Sequence, residues 1–97
     1  MRIIARKSLR EFWARVPEAE RPLRSWFAEA KAARWEKPSD IKAYYASASI
    51  LSGGRVVFNI GGNKFRLVTW INYSAGIVFI KFIGTHDEYN SIDARSI

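Results

Sequence analysis

Residues 55–83 read RVVFNI-GG-NKFRLVTWINY-SAG-IVFIKFI, from Arg55 to Ile83, and this stretch decides the fold. Three runs, Arg55–Ile60, Lys64–Tyr73 and Ile77–Ile83, are rich in β-branched and aromatic residues, and their apolar positions recur at every second residue. A period of two marks extended strands half-buried in a sheet. Gly61-Gly62 predicts a two-residue hairpin turn, and Ser74-Ala75-Gly76 predicts the next reversal. The stretch therefore reads as an antiparallel three-strand meander.

Upstream of it the period changes to about 3.6. Ile3 and Ile4 make a short candidate strand. Ser8 and Glu11 stand at capping-box spacing, and Leu9, Phe12, Trp13 and Val16 share a helical face, so a helix is predicted over about 8–16. Pro17 ends it. A second helix is predicted from about Glu18 to Trp35, with Pro22 tolerated in its first turn and Leu23, Trp26, Phe27 and Ala30 as its apolar face. Lys37-Pro38-Ser39-Asp40 breaks the pattern before a short turn through Tyr44, with Ser39 or Asp40 as its cap. Downstream of the meander, Thr85-His86-Asp87-Glu88 is a second capping-box pattern, so a short helical turn should begin at His86. Helices first and strands after them predict an α+β fold, with the N-terminal helices packed on one face of an antiparallel sheet. At 97 residues the chain is one domain, 1–97.

Composition removes several function classes. Without cysteine there is no disulfide scaffold and no thiolate metal site, and one histidine cannot build a His-rich one. Asn72, Ser74 and Lys81 interrupt the longest apolar stretches well short of a membrane span, and the first residues lack a signal peptide's apolar core. A cytoplasmic protein is expected. The net charge of +7 is unevenly spread. Residues 41–86 contain Lys42, Arg55, Lys64, Arg66 and Lys81 and no acid, whereas the flanking segments mix both signs. An acid-free stretch carries an uncompensated positive field suited to a polyanion.

Alternation assigns the strands two faces. Val56, Phe58, Ile60, Phe65, Leu67, Thr69, Ile71, Val78, Ile80 and Phe82 form a nearly apolar face that should meet the helices. The other face carries Arg55, Asn59, Lys64, Arg66, Trp70, Phe79 and Lys81. A two-residue turn would pair Asn59 with Lys64 and Val57 with Arg66, and Lys81 would stand opposite Val68 or Trp70. Four like charges without a counter-charge repel across strands, which favours polyanion binding over plain solvation.

His86 is the only imidazole, beside the turn that holds Asn63 and Lys64. Alone, such a histidine is more often structural than catalytic, yet imidazole is the side chain best suited to proton transfer at neutral pH. The acid-free core excludes a two-carboxylate hydrolase site and a carboxylate metal cage. One chemistry suits cations, one acid/base and no metal: attack of an RNA 2′-hydroxyl on the adjacent phosphate, since RNA brings its own nucleophile.

Val57-Phe-Asn-Ile-Gly-Gly-Asn-Lys-Phe-Arg66-Leu-Val, followed by Gly84-Thr-His-Asp-Glu-Tyr89, resembles the HigB branch of the RelE-like mRNA interferase toxins over essentially the whole chain. The resemblance implies a compact RelE-like fold and the toxin of a type II toxin–antitoxin pair. It also implies endoribonuclease activity on mRNA, on the translating ribosome, and inhibition by a HigA-type helix-turn-helix antitoxin. Carried over by position, Arg66 would hold the scissile phosphate, His86 would be the acid/base and Lys81 a third catalytic group at the phosphate. Lys64 would be a further phosphate contact and Tyr89 would stack on a base or assist orientation; the basic face and the glycine turn add Arg55, Asn59, Asn63 and Trp70 as residues expected to contact RNA. No metal or other cofactor is expected. The alternatives are a non-catalytic RNA- or ribosome-binding module using the same face, and a domain whose basic patch docks an acidic protein.

Overall fold

A computed structural model describes all 97 residues. The chain runs β1 (Arg2–Ile4), α1 (Lys7–Arg15), a 3-10 turn (Pro17–Ala19), α2 (Glu20–Ala32), α3 (Pro38–Tyr44), β2 (Ser49–Ile50), a second 3-10 turn (Ser52–Gly54), β3 (Arg55–Ile60), β4 (Phe65–Asn72), β5 (Ile77–Thr85) and α4 (His86–Asn90). The strands form one mixed sheet in the order β1-β5-β4-β3-β2. The meander β3-β4-β5 is antiparallel, as its alternation requires. β1 adds a parallel edge, with Arg2 opposite Ile77 and Ile4 opposite Phe79.

The helices differ from expectation at their ends. Ala5 adopts a left-handed conformation at φ 71°, which turns the chain early and starts α1 at Lys7. Ser8 therefore lies inside the helix, and its capping box with Glu11 does not form; Glu11 pairs with Lys7 instead. Pro17–Ala19 is a 3-10 turn, and α2 stops at Ala32 because Ala33 is already extended. Trp35 is thus a linker residue. It is still buried, stacked on Phe58 with ring centroids 5.9 Å apart. α3 is a seven-residue helix with Pro38 in its first turn and no side-chain cap, while Asp40 accepts a bond from the Glu36 amide.

The main core lies between the helices and the apolar sheet face, where Leu9, Phe12, Leu23, Trp26, Trp35 and Ile41 meet Val56, Phe58, Leu67 and Val78. Edge-to-face contacts of Trp26 and Tyr45 on Phe58 hold its centre.

Two features of the meander correct the expected register. The β3-β4 connection is a four-residue turn, Gly61–Lys64, with both glycines at positive φ, rather than a two-residue hairpin. Ile60 therefore pairs with Phe65, Asn59 with Arg66 and Val57 with Val68. The slip is two residues, so the faces survive it. In β5, Ile80 opposes Thr69 while Phe82 opposes Val68, which leaves Lys81 as the extra residue of a β-bulge with no cross-strand partner. The bulge reverses the alternation beyond it. Phe82 joins Val57 and Val68 on the far face, and Ile83 packs on the main core.

That far face is also not open throughout. α4 and the segment after it fold back across it, where Ala94, Ile92, Ile97 and Tyr89 cover Val57, Val68 and Phe82. Burying this apolar centre leaves the two ends of the face distinct.

Candidate active site

Sheet register gathers part of the predicted set at one end. Asn59, Arg66 and Gly84 stand in a row across β3, β4 and β5, and Phe65 pairs with Thr85, the residue before His86. The turn Gly61–Lys64, holding Asn63 and Lys64, leads directly into this row. Arg66 is half-buried, and its guanidinium donates to the carbonyls of Asn63 (3.0 Å) and Phe65 (3.4 Å). It has no carboxylate partner. A guanidinium bonded only to carbonyls has no carboxylate to offset its charge and can donate two parallel hydrogen bonds to a phosphate.

The other predicted residues are disposed differently. Lys64 is not alone: its ammonium pairs with Glu18 at 3.2 Å, so a carboxylate does reach this end of the molecule. Glu18 belongs to the turn between α1 and α2, and nothing local in the sequence announces that it lies beside the hairpin. Asn59 donates to the Ser47 carbonyl at 3.2 Å and so fastens the segment before β2. Lys81 is exposed at the bulge and joins no ion pair. It adjoins Val68, two strand positions from Arg66, or roughly 7 Å. Tyr89 packs on the Val57–Val68 cluster below His86.

Arg55 and Trp70 are not brought to this end. They pair with each other four positions from Arg66, roughly 13 Å along the sheet. The Arg55 guanidinium is occupied by the Gly53 carbonyl and by a backbone oxygen of Ile97. Trp70 is half-buried against Phe79, with ring centroids 5.0 Å apart. The expected four-cation platform is thus divided by the segment that covers its middle.

His86 is exposed as the first residue of α4. Five residues are too few to hold a helix by propensity, so the start of α4 depends on its cap. The cap forms as expected: the Glu88 amide donates to Thr85 Oγ1 at 3.2 Å, and the Thr85 amide donates to Glu88 Oε1 at 2.8 Å. Gly84 closes the approach, since a Cβ there would lie 3.1 Å from the Cβ of Glu88 and 2.5 Å from Cζ of Phe82. Sequence reasoning missed one participant, Arg15 at the end of α1, which donates to both carboxylate oxygens of Glu88 (3.1 and 3.3 Å).

The Thr85 amide is the largest influence on the Glu88 carboxyl; burial opposes it, and the Arg15 guanidinium adds to it, so the carboxyl is held below its ordinary range. A depressed carboxylate contributes stability that is fully present above its ordinary range and is lost as pH falls from that range through the lowered folded-state value. Glu88→Gln, which keeps an acceptor but removes the charge, should cost less than ~1 kcal/mol at pH 7, because the pair is solvent-screened. The difference from wild type should shrink as the pH is lowered from the ordinary carboxylate range through the depressed value of Glu88, as read by urea unfolding at each pH.

No helix is long and apolar enough to cross a membrane. A family model described as HigB toxin, the RelE-like toxic component of a toxin–antitoxin system, matches residues 19–92. The mRNA interferase toxin HigB of Escherichia coli (strain K12) is 26% identical over 96 residues, covering 97% of this chain and 92% of that protein. The mRNA interferase HigB of Shigella flexneri matches with the same identity and coverage. The matched span takes in both the glycine turn with Arg66 and the capped turn with His86. It covers well over half of the sequence, and the chain therefore belongs to the HigB family of RelE-like toxins of toxin–antitoxin systems.

Proposed function

We propose that this chain is an mRNA-cleaving endoribonuclease, the toxin of a type II pair, acting in the cytoplasm on mRNA held by the translating ribosome. The observation that carries the reading is the juxtaposition of Arg66, a guanidinium without a carboxylate, with an exposed imidazole just beyond the strand position next to it. In this reading the 2′-oxygen of the substrate loses its proton, attacks the adjacent phosphorus and displaces the 5′-oxygen, which gains a proton. The products are a 2′,3′-cyclic phosphate and a 5′-hydroxyl. Arg66, helped by Lys81, stabilises the charge that grows on the non-bridging oxygens, and His86 moves one of the two protons. Asn63, Lys64 and Tyr89 line the strand's path, whereas Arg55, Asn59 and Trp70 lie at its margins or are engaged within the fold. A helix-turn-helix antitoxin of the HigA type is the proposed inhibitor.

The test is incubation of the purified protein with a synthetic mRNA in EDTA, with and without ribosomes, followed by analysis of the cut ends. Cleavage leaving cyclic phosphates is expected. RNA that is bound but never cut in either condition would select the non-catalytic binding module instead. With Arg66, Lys64 and Lys81 as the phosphate contacts, binding to single-stranded RNA should weaken with salt at a log–log slope of about −2. A flat response would remove both RNA readings and leave the acidic-protein docking domain.

A further inference from the structure

We propose that Arg15 is a positioning residue for His86, a role that rests on the catalytic reading of that histidine. The claim comes from a closed circuit of contacts around the start of α4. Arg15 donates to both oxygens of Glu88, and Glu88 exchanges two hydrogen bonds with Thr85, so His86 and Asp87 are bracketed between bonded residues. Thr85 stands opposite Phe65 across β4 and β5. Phe65 meets Phe12 edge-on with ring centroids 5.5 Å apart, and the Arg15 guanidinium lies over the Phe12 ring at 5.1 Å, which returns the circuit to its origin. The turn carrying the imidazole is thereby tied to α1, an element 71 residues earlier in the chain.

Both side chains of the ion pair are roughly half-exposed, and such pairs add little to global stability. This one differs in geometry, because stacking on Phe12 already orders the guanidinium and the cap already orders the carboxylate. Its effect is therefore local: it removes the freedom of a five-residue helix that nothing else in α1 or α2 holds by an ion pair. A displacement of about 1 Å at a reacting group is enough to cost a large factor in rate. Arg15 is thus expected to act on the chemical step without touching RNA.

The experiment compares wild type, Arg15→Ala, Arg15→Lys and His86→Ala in single-turnover cleavage of a synthetic mRNA on ribosomes, alongside RNA affinity across salt. Backbone 15N relaxation of residues 85–89 is measured on the same proteins. Arg15→Ala should lower the saturating rate about tenfold while leaving the half-saturating RNA concentration and the salt slope unchanged, and it should raise the mobility of residues 85–89. Arg15→Lys, which can still pair with Glu88, should recover most of the rate. If Arg15→Ala instead weakens RNA binding and reduces the salt slope by nearly one phosphate contact, the residue binds substrate and the proposal is wrong. If His86→Ala is inactive but Arg15→Ala keeps the full rate and rigid amides, the proposal alone fails. If His86→Ala cleaves at the wild-type rate, the catalytic reading has failed and takes the proposal with it.

Discussion

Arg66→Ala should lower mRNA cleavage by about 10²–10⁴ while changing folding stability by less than ~1 kcal/mol. The large effect follows from what surrounds the guanidinium. It sits on the face away from the main core, beside Gly84, a position without a side chain, and two backbone carbonyls are its only partners. No carboxylate offsets its charge before substrate arrives, so little is lost when it turns to a phosphate. In the transition state the non-bridging oxygens carry more charge than in the ground state, and a fixed cation there lowers the barrier more than it tightens binding. The small stability effect follows from the same facts, since no buried acceptor is orphaned when the side chain is removed. Arg66→Lys should recover only part of the rate, because an ammonium cannot engage two phosphate oxygens in one plane. Measuring saturating rate and RNA affinity separately decides the matter. A variant that binds more weakly but cleaves at the wild-type saturating rate would reduce Arg66 to a docking contact.

His86→Ala should lower the saturating rate by a comparable 10²–10⁴, with RNA affinity within about twofold of wild type. The imidazole is exposed at the start of α4, and the Thr85–Glu88 bonds that shape the turn involve none of its atoms. Its removal therefore leaves the turn, the sheet and the cation set in place. Two results check the assignment together. Free imidazole added to His86→Ala should restore part of the rate, because the small base can enter the space the side chain vacates. His86→Gln, which fills the space but has no group that gains or loses a proton near neutral pH, should stay near the alanine level. Wild-type cleavage by His86→Ala would transfer proton movement to another group, with Lys81 and Tyr89 the candidates to test next.

How much of this was legible before folding differs from element to element. The meander, the face that meets the helices and the capped turn at His86 follow from local pattern, since alternation and capping-box spacing act within a few residues. The same logic failed at Ser8, where a left-handed Ala5 started the helix early and left the hydroxyl within it. It failed again at Lys81. A bulge depends on how two strands meet, and no residue in Ile77–Ile83 marks it in isolation. Arg55 and Trp70 were assigned to the same surface as Arg66 correctly, yet they stand too far along it and are engaged by Ile97 and Phe79. Glu18 and Arg15 lay on helical segments where charges usually face water, so nothing in their spacing linked them to Lys64 and Glu88.

Residue order alone sets which segments are helix or strand, which side of the meander is apolar and where the acid-free charge lies, because these properties arise from neighbours a few positions apart. Folding in three dimensions decides which of those charges remain unpaired, which strand positions share a row, and that residues 91–97 cover the middle of the basic face. Those outcomes depend on contacts between distant segments, and the free energy of such contacts is determined by the geometry of the whole packed chain rather than by any one stretch.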